Sequence, residues 1–287
     1  MEPHAIDSEI FPGHRVCERD GLRWIEPVAP LGGVAPIRFT TRHGGGSRAP
    51  YTGLNLAFHV GDVPERVRLN RRALARTLPP RLLEPVAMDQ VHGTRLAFVG
   101  ELHAGTRWEA LEPALAETDA LATATRRLPL TVLVADCVAV AIVDPRRGAL
   151  AVAHAGWRGL AGGILPGLFE RVAATYGTDP ADCHAWISPA IGPCCYRVGA
   201  EVAAQLAAAP AEFAPGGEAD GHSVDLWSIA AGQLGAAGVP SERITIVRLC
   251  TSCRDDLFFS HRRATRAGDP ATGRQALVAW LEPPSAP

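Results

Sequence analysis

The chain has 287 residues, 47% of them hydrophobic and 20% charged, with a formal net charge of −2. This composition suits a globular protein long enough to bury a real core as one large domain or two small ones, and the weak charge excludes a strong field for nucleic acid or an anionic membrane. All 28 basic residues are arginine, which excludes Schiff-base chemistry, a lysine base and a P-loop lysine; a bound phosphate must rest on arginine, backbone amides or a metal.

Residues 1–35 are punctuated by Pro and Gly and hold one expected strand near Leu22–Ile25. The opening MEPHAIDSEI has neither a basic region nor an apolar run, so a cytoplasmic location is expected. A strand at Ile37–Thr40 precedes the glycine-rich loop Arg42-His-Gly-Gly-Gly-Ser47. Pro64 starts a helix that stops before Pro79-Pro80. Val86–Asp89 and Thr94–Val99 read as strands around the turn at His92-Gly93, and Glu101–Glu117 as loop or weak helix. Leu130–Ala135, Val138–Val143 and Ala149–Ala153 are near-continuous apolar runs, expected as strands buried on both faces. The longest apolar stretch, Leu130–Val143, is broken by Asp136 and is too short to span a bilayer.

Ile164, Leu168, Val172 and Tyr176 mark one face of a helix capped by Gly177. A strand at His184–Ser188, a helix at Glu201–Ala208 and a surface loop at Pro210–Gly221 follow. Asp225 caps a helix ended by Gly238 and Pro240. Ile244–Leu249 and Ala276–Leu281 read as strands. Strands outnumber helices without alternating strictly with them, so the expected fold is α+β. The expected division is an N-terminal extension over 1–35 and a single catalytic domain over 36–287.

His92, Cys137 and His154 each stand at a strand end or turn, where side chains can converge over one mouth. Two imidazoles and a thiolate suit Zn²⁺ or a copper ion, and three protein donors leave a position for water or substrate. A cysteine in an apolar run is otherwise a small core residue. Asp136 can accept a hydrogen bond from a ligand imidazole or pin its own loop. His43 and His59 are further candidate metal contacts, or loop residues. Cys250-Thr-Ser-Cys253 lacks a second pair at ribbon spacing and a thioredoxin context, and Cys194-Cys195 reads as a loop pair.

The ordered phrases TTRHGGG, YTGLNLAFHVGD, NRRAL, DQVHG, TDALAT, VADC, AVAHAGWRGL, AIGPCCYRVG, FFSHRR and TGRQA, over roughly residues 36 to 281, resemble the multicopper-oxidase-like laccase-domain family, also called the YfiH family. The resemblance implies packed mixed β-sheets flanked by helices. It implies His92, Cys137 and His154 as zinc ligands and catalytic centre, and a purine nucleoside phosphorylase acting on adenosine, inosine and 5′-methylthioadenosine, with adenosine deaminase activity. The implied partners are a purine nucleoside and phosphate, with neither nucleic acid nor membrane, in a monomer or small homo-oligomer. Three positions depart from the family pattern: Ala139 for a proline, His261 for an aromatic residue and Gln275 for a methionine. Expected substrate contacts are Arg42 beside its glycines, Asn55 and Arg158. Competing expectations are a Cys137–His154 amide hydrolase editing peptidoglycan precursors, a metal-binding protein without turnover, and a copper-dependent polyphenol oxidase, although a multicopper site needs more histidines than these.

Overall fold

The apolar runs in the middle of the chain form strands because each is covered on both faces. A computed structural model describes residues 13–111, 115–207 and 221–283, together with the backbone of 4–6. The strands are β1 (His4–Ile6), β2 (His14–Arg19), β3 (Leu22–Pro27), β4 (Ile37–Thr40), β5 (Leu96–Phe98), β6 (Ala120–Thr123), β7 (Leu130–Val134), β8 (Val138–Asp144), β9 (Ala149–Ala155), β10 (His184–Ile187), β11 (Arg197–Val198), β12 (His222–Ser223), β13 (Ile244–Ile246) and β14 (Gln275–Ala279). The helices are α1 (Pro64–Thr77), α2 (Trp157–Ala161), α3 (Ile164–Tyr176), α4 (Ala200–Ala207), α5 (Leu226–Ala236) and α6 (His261–Arg266).

Two six-stranded sheets form the centre. The first, in the order β1-β2-β3-β4-β14-β7, pairs antiparallel throughout. The second, β13-β10-β8-β9-β6-β5, is parallel at both edges and antiparallel between them. The alternation of side chains along a strand sorts the core into three layers. Phe39, Val132 and Leu277 of the first sheet meet Ala141, Val152 and Trp186 of the second. The second sheet's far face packs Val140, Ile142 and Ala153 against Leu165 and Leu168 of α3 and Ile229 of α5. The first sheet's far face sets Leu133, Ala276 and Val278 against Leu74 of α1. The architecture is thus α+β, with packed sheets flanked by helices.

The corner between β7 and β8 positions the site. β7 ends the first sheet and β8 lies inside the second, so Ala135, Asp136 and Cys137 carry the chain from one layer to the other. Asp136 holds φ 90°, a conformation that costs a non-glycine residue on the order of 1 kcal/mol or more. Its carboxylate accepts from Thr251 Oγ1 and from the Arg262 backbone N–H, both at 2.6 Å. Asp136 therefore pins its own corner.

Several elements differ from expectation. Val86–Asp89 forms only an isolated bridge from Val86 to Leu130, because the Ala87 and Asp89 amides bond to the carbonyls of Thr106 and Leu115 in the adjacent loop. β2, β6, α2 and α6 were not anticipated. The tract Pro210–Gly221, except for its last residue, lies outside the described residues, as do 112–114 of the expected Glu101–Glu117 loop. Among the described residues no helix is long and apolar enough to cross a membrane.

Candidate metal centre

Ala139 in β8 lies directly opposite His154 in β9. The two-residue repeat of a strand therefore brings Cys137, just before β8, to the same face and the same end as His154. His92 arrives from the loop before β5 with φ 63°, a left-handed conformation that costs about 1–2 kcal/mol. What offsets this strain is Asp119, fully buried at the start of β6. Its Oδ1 accepts from the His92 N–H at 3.0 Å and from His154 Nδ1 at 2.8 Å. Its Oδ2 accepts from the Val91 and Gly93 amides at 3.2 and 2.7 Å. Hydrogen bonds to a charged group contribute about 1.5–3 kcal/mol each, so one carboxylate outweighs the backbone strain while aiming both histidines.

With its Nδ1–H given to Asp119, His154 presents Nε2 to the cluster. Cys137 Sγ lies 3.9 Å from His92 Nε2. The two imidazole rings sit 4.7 Å apart, tilted by 72°. One donor atom from each of His92, Cys137 and His154 lies within 4.8 Å of the others. Zinc bonds of about 2.0–2.3 Å in a tetrahedron separate donors by roughly 3.3–3.8 Å. The donor set and its spacing fit such an ion.

Cys137 and His154 act on each other's protonation. Burial opposes the Cys137 thiolate, but His154 and then His92 outweigh it and lower the thiol to about 6. Burial likewise works against a charged His154, while the Cys137 sulfur and the Asp119 carboxylate raise it to about 9. Asp119 is held below the usual carboxylate range: burial works against its charge, and the bond from His154 prevails.

Gly156 closes one side of the centre. A Cβ there would stand 3.0 Å from Cys137 Sγ and 3.1 Å from the His92 ring. Its backbone, at φ −69° and ψ 170°, suits any residue, so space alone demands glycine. Gly156→Ala is expected to keep the fold and weaken binding of a divalent metal about tenfold, the effect of 1–2 kcal/mol of overpacking. Competition against a chromogenic chelator measures this, and an unchanged affinity would contradict the placement.

A cavity of about 420 Å³ opens over the three donors. Arg158, Arg262 and Arg274 line it, with Trp157, Leu133 and Ile191 as apolar wall. Arg158 lies 4.4 Å over the Trp157 ring. Arg262 donates to the carbonyls of Cys195 and Arg197, and Arg274 to those of Thr272 and Gly273. Among the described residues none of the three forms an ion pair with a carboxylate. His59 also lines the cavity, and burial, then Arg274 and Arg71, lower its imidazole to about 4, so it is neutral.

The other expected contacts lie elsewhere. Arg42 donates to the carbonyls of Asp255 and Thr52 and stacks on Phe259, outside the cavity wall. Asn55 is wholly buried; it bonds to Asp62 and Ala57 and accepts from the Arg274 amide, so it fixes a turn. Sequence reasoning missed Arg274 and Asp119. The threonine–aspartate pair of TDALAT, immediately before β6, was the available signal for Asp119. Of the three departures, His261 lines the cavity, Gln275 bonds both backbone groups of Phe259, and Ala139 is buried between the sheets.

A family model described as "Multi-copper polyphenol oxidoreductase laccase" matches residues 36–282. "Purine nucleoside phosphorylase YlmD" of Geobacillus stearothermophilus is 37% identical over 252 residues, covering 86% of this chain and 92% of the relative. "Purine nucleoside phosphorylase YfiH" of Escherichia coli K12 is 36% identical over 266 residues, covering 90% and 97%. The crystal structure of YlmD from Geobacillus stearothermophilus superposes with a TM-score of 0.85 at 36% identity, covering 93% of this chain and 98% of that one.

Proposed function

Since the chain belongs to the multi-copper polyphenol oxidoreductase laccase family, we propose that it is a zinc-dependent purine nucleoside phosphorylase acting on adenosine, inosine and 5′-methylthioadenosine, with adenosine deamination at the same centre. The observation that carries this reading is the cavity itself: three arginines, which among the described residues form no ion pair with a carboxylate, line it together with a His–Cys–His donor set and an apolar wall. An oxidation of phenols by several coppers is less well supported, because the donor set has the size for one ion.

His92, Cys137 and His154 would hold the ion. A divalent cation there would supply a Lewis acid able to polarise a phosphate or ribose oxygen, or to lower the pKa of water. The remaining chemistry belongs to the chain. Guanidiniums of Arg158, Arg262 and Arg274 bind a phosphate dianion, with geometry suited to two parallel hydrogen bonds. Trp157, Leu133 and Ile191 exclude water and pack the purine. Neutral His59 offers one donor and one acceptor for ribose hydroxyls or the base. Phosphorolysis then exchanges the glycosidic C–N bond for a C–O bond to phosphate, releasing base and ribose 1-phosphate.

The test is adenine release from adenosine, with and without inorganic phosphate, before and after exhaustive chelation. Release that requires both phosphate and metal is expected. The placing of Cys137 Sγ within 4.8 Å of an imidazole nitrogen of His154, whose ring is oriented by Asp119, favours the amide hydrolase as the second reading. Turnover that survives chelation and is abolished by thiol alkylation would support it instead.

Arg158 gives a sharper check. Its side chain rests on Trp157 at the cavity wall. Arg158→Met is expected to raise the KM for phosphate by about tenfold or more, the effect of one charge-assisted contact, while the KM for adenosine changes little. Equal changes in both constants would remove Arg158 from the anion site.

A further inference from the structure

A second cluster of soft ligands lies outside the cavity. The turn after β10, Gly192-Pro193-Cys194-Cys195, and the segment after β13, Cys250-Thr-Ser-Cys253, bring four thiols together. Cys253 Sγ is 3.6 Å from Cys194 Sγ and 3.4 Å from Cys195 Sγ, and all four sulfurs lie within 4.8 Å of one another. All are free thiols. The missing second pair of the Cys-x-x-Cys is thus supplied by the vicinal cysteines of a distant loop.

We propose that Cys194, Cys195, Cys250 and Cys253 form a tetrathiolate site for one thiophilic divalent ion of the zinc class, separate from the three-donor centre.

Four cysteines with no other ligand type select zinc or iron in a tetrahedron. Zinc–sulfur bonds of about 2.3 Å place tetrahedral sulfurs roughly 3.8 Å apart, within the spread observed. The Gly192 amide already donates to Cys250 Sγ at 3.2 Å, an interaction that strengthens toward a thiolate. Cys194 and Cys253 are exposed, so an ion enters without opening the fold. On binding, the four thiols release their protons to solvent, and the filled site carries a formal charge of −2. Cationic side chains already hold the same loops: Arg266 and Arg262 donate to the Cys195 carbonyl, and Arg263 to those of Thr251 and Ser252.

The cluster acts on the cavity from behind. Ile191 and Tyr196, which flank the vicinal pair, line its wall. Thr251, inside the other pair, bonds the carboxylate of Asp136 beside Cys137. Without the ion, the two loops are joined by hydrogen bonds and packing; with it, they are cross-linked.

The experiment measures metal content and spectrum, not turnover. Full-length wild type, Cys137→Ala, Cys194→Ser and Cys253→Ser are purified under reducing conditions and analysed for zinc. Two equivalents per chain are expected for wild type and one for each variant. Cobalt(II) loaded into Cys137→Ala should give intense thiolate-to-metal charge-transfer and tetrahedral ligand-field bands. Those bands should weaken strongly when Cys253→Ser is added, with circular dichroism unchanged. Equal zinc in wild type and Cys253→Ser would overturn the proposal. So would a Cys194–Cys253 or Cys195–Cys253 disulfide in peptide maps of the reduced preparation, or alkylation of the four thiols at the same rate with and without zinc. Failure of the phosphorylase reading leaves the cobalt spectrum of Cys137→Ala untouched, so the two outcomes are distinguishable.

Discussion

Replacing Cys137 with alanine is expected to strip zinc from the three-donor centre and to lower phosphate-dependent adenine release at least about a hundredfold. The thiolate is the only anionic donor of the three, and the two imidazoles that remain are neutral ligands. The side chain sits partly exposed at the corner between β7 and β8, so its removal leaves no sealed hole in the core. The corner itself is held by Asp136 through Thr251 and Arg262, not by the sulfur. A cooperative melt close to that of the chelated wild type is therefore expected alongside the lost turnover. Atomic spectroscopy for zinc and chromatography for adenine measure both effects. Full zinc occupancy with full turnover in Cys137→Ala would end the proposed assignment.

Asp119→Asn has the next largest expected effect, and it separates positioning from ligation. The carboxylate stands outside the three-donor set; each of its oxygens accepts two hydrogen bonds, four donors in all. An amide has one oxygen and one NH2 group, so two of those donors would confront another donor. Either the His154 ring turns or the 91–93 turn comes loose. Zinc affinity is expected to fall about 10–100-fold, as for loss of a carboxylate behind a ligating histidine. Stability of the metal-free protein is expected to fall by about 2–4 kcal/mol, from charge-assisted bonds at a fully buried site. Comparing the chelated variant with chelated wild type isolates the second effect. An unchanged melt and unchanged affinity would show that Asp119 aims neither histidine.

The strands legible in the sequence were those whose burial leaves a chemical trace. β7, β8 and β9 are apolar on both faces because helices and a second sheet cover them, and they read as continuous runs. β6 is Ala-Leu-Ala-Thr, whose alanines have low strand propensity, and it forms only because β9 and β5 flank it. Val86–Asp89 had the pattern of a strand but found loop carbonyls in place of a neighbour. At the site, the two histidines and the cysteine could be placed at strand ends from local pattern. The carboxylate behind them could not, because Asp119 and Asp136 look alike in sequence; only the crossing of the chain between sheets decides which one meets His154. The cysteine pairs escaped for the same reason, since their spacing is set by how β10 lies beside β13.

All three donors are carried by the second sheet: His154 within β9, His92 through Asp119 next to β6, and Cys137 one residue before β8, at the end of the strap of chain that arrives from the first. An ion captured there consequently staples the neighbouring strands of a single layer at one end, and its affinity reports how firmly β8, β9 and the turn before β5 are held together.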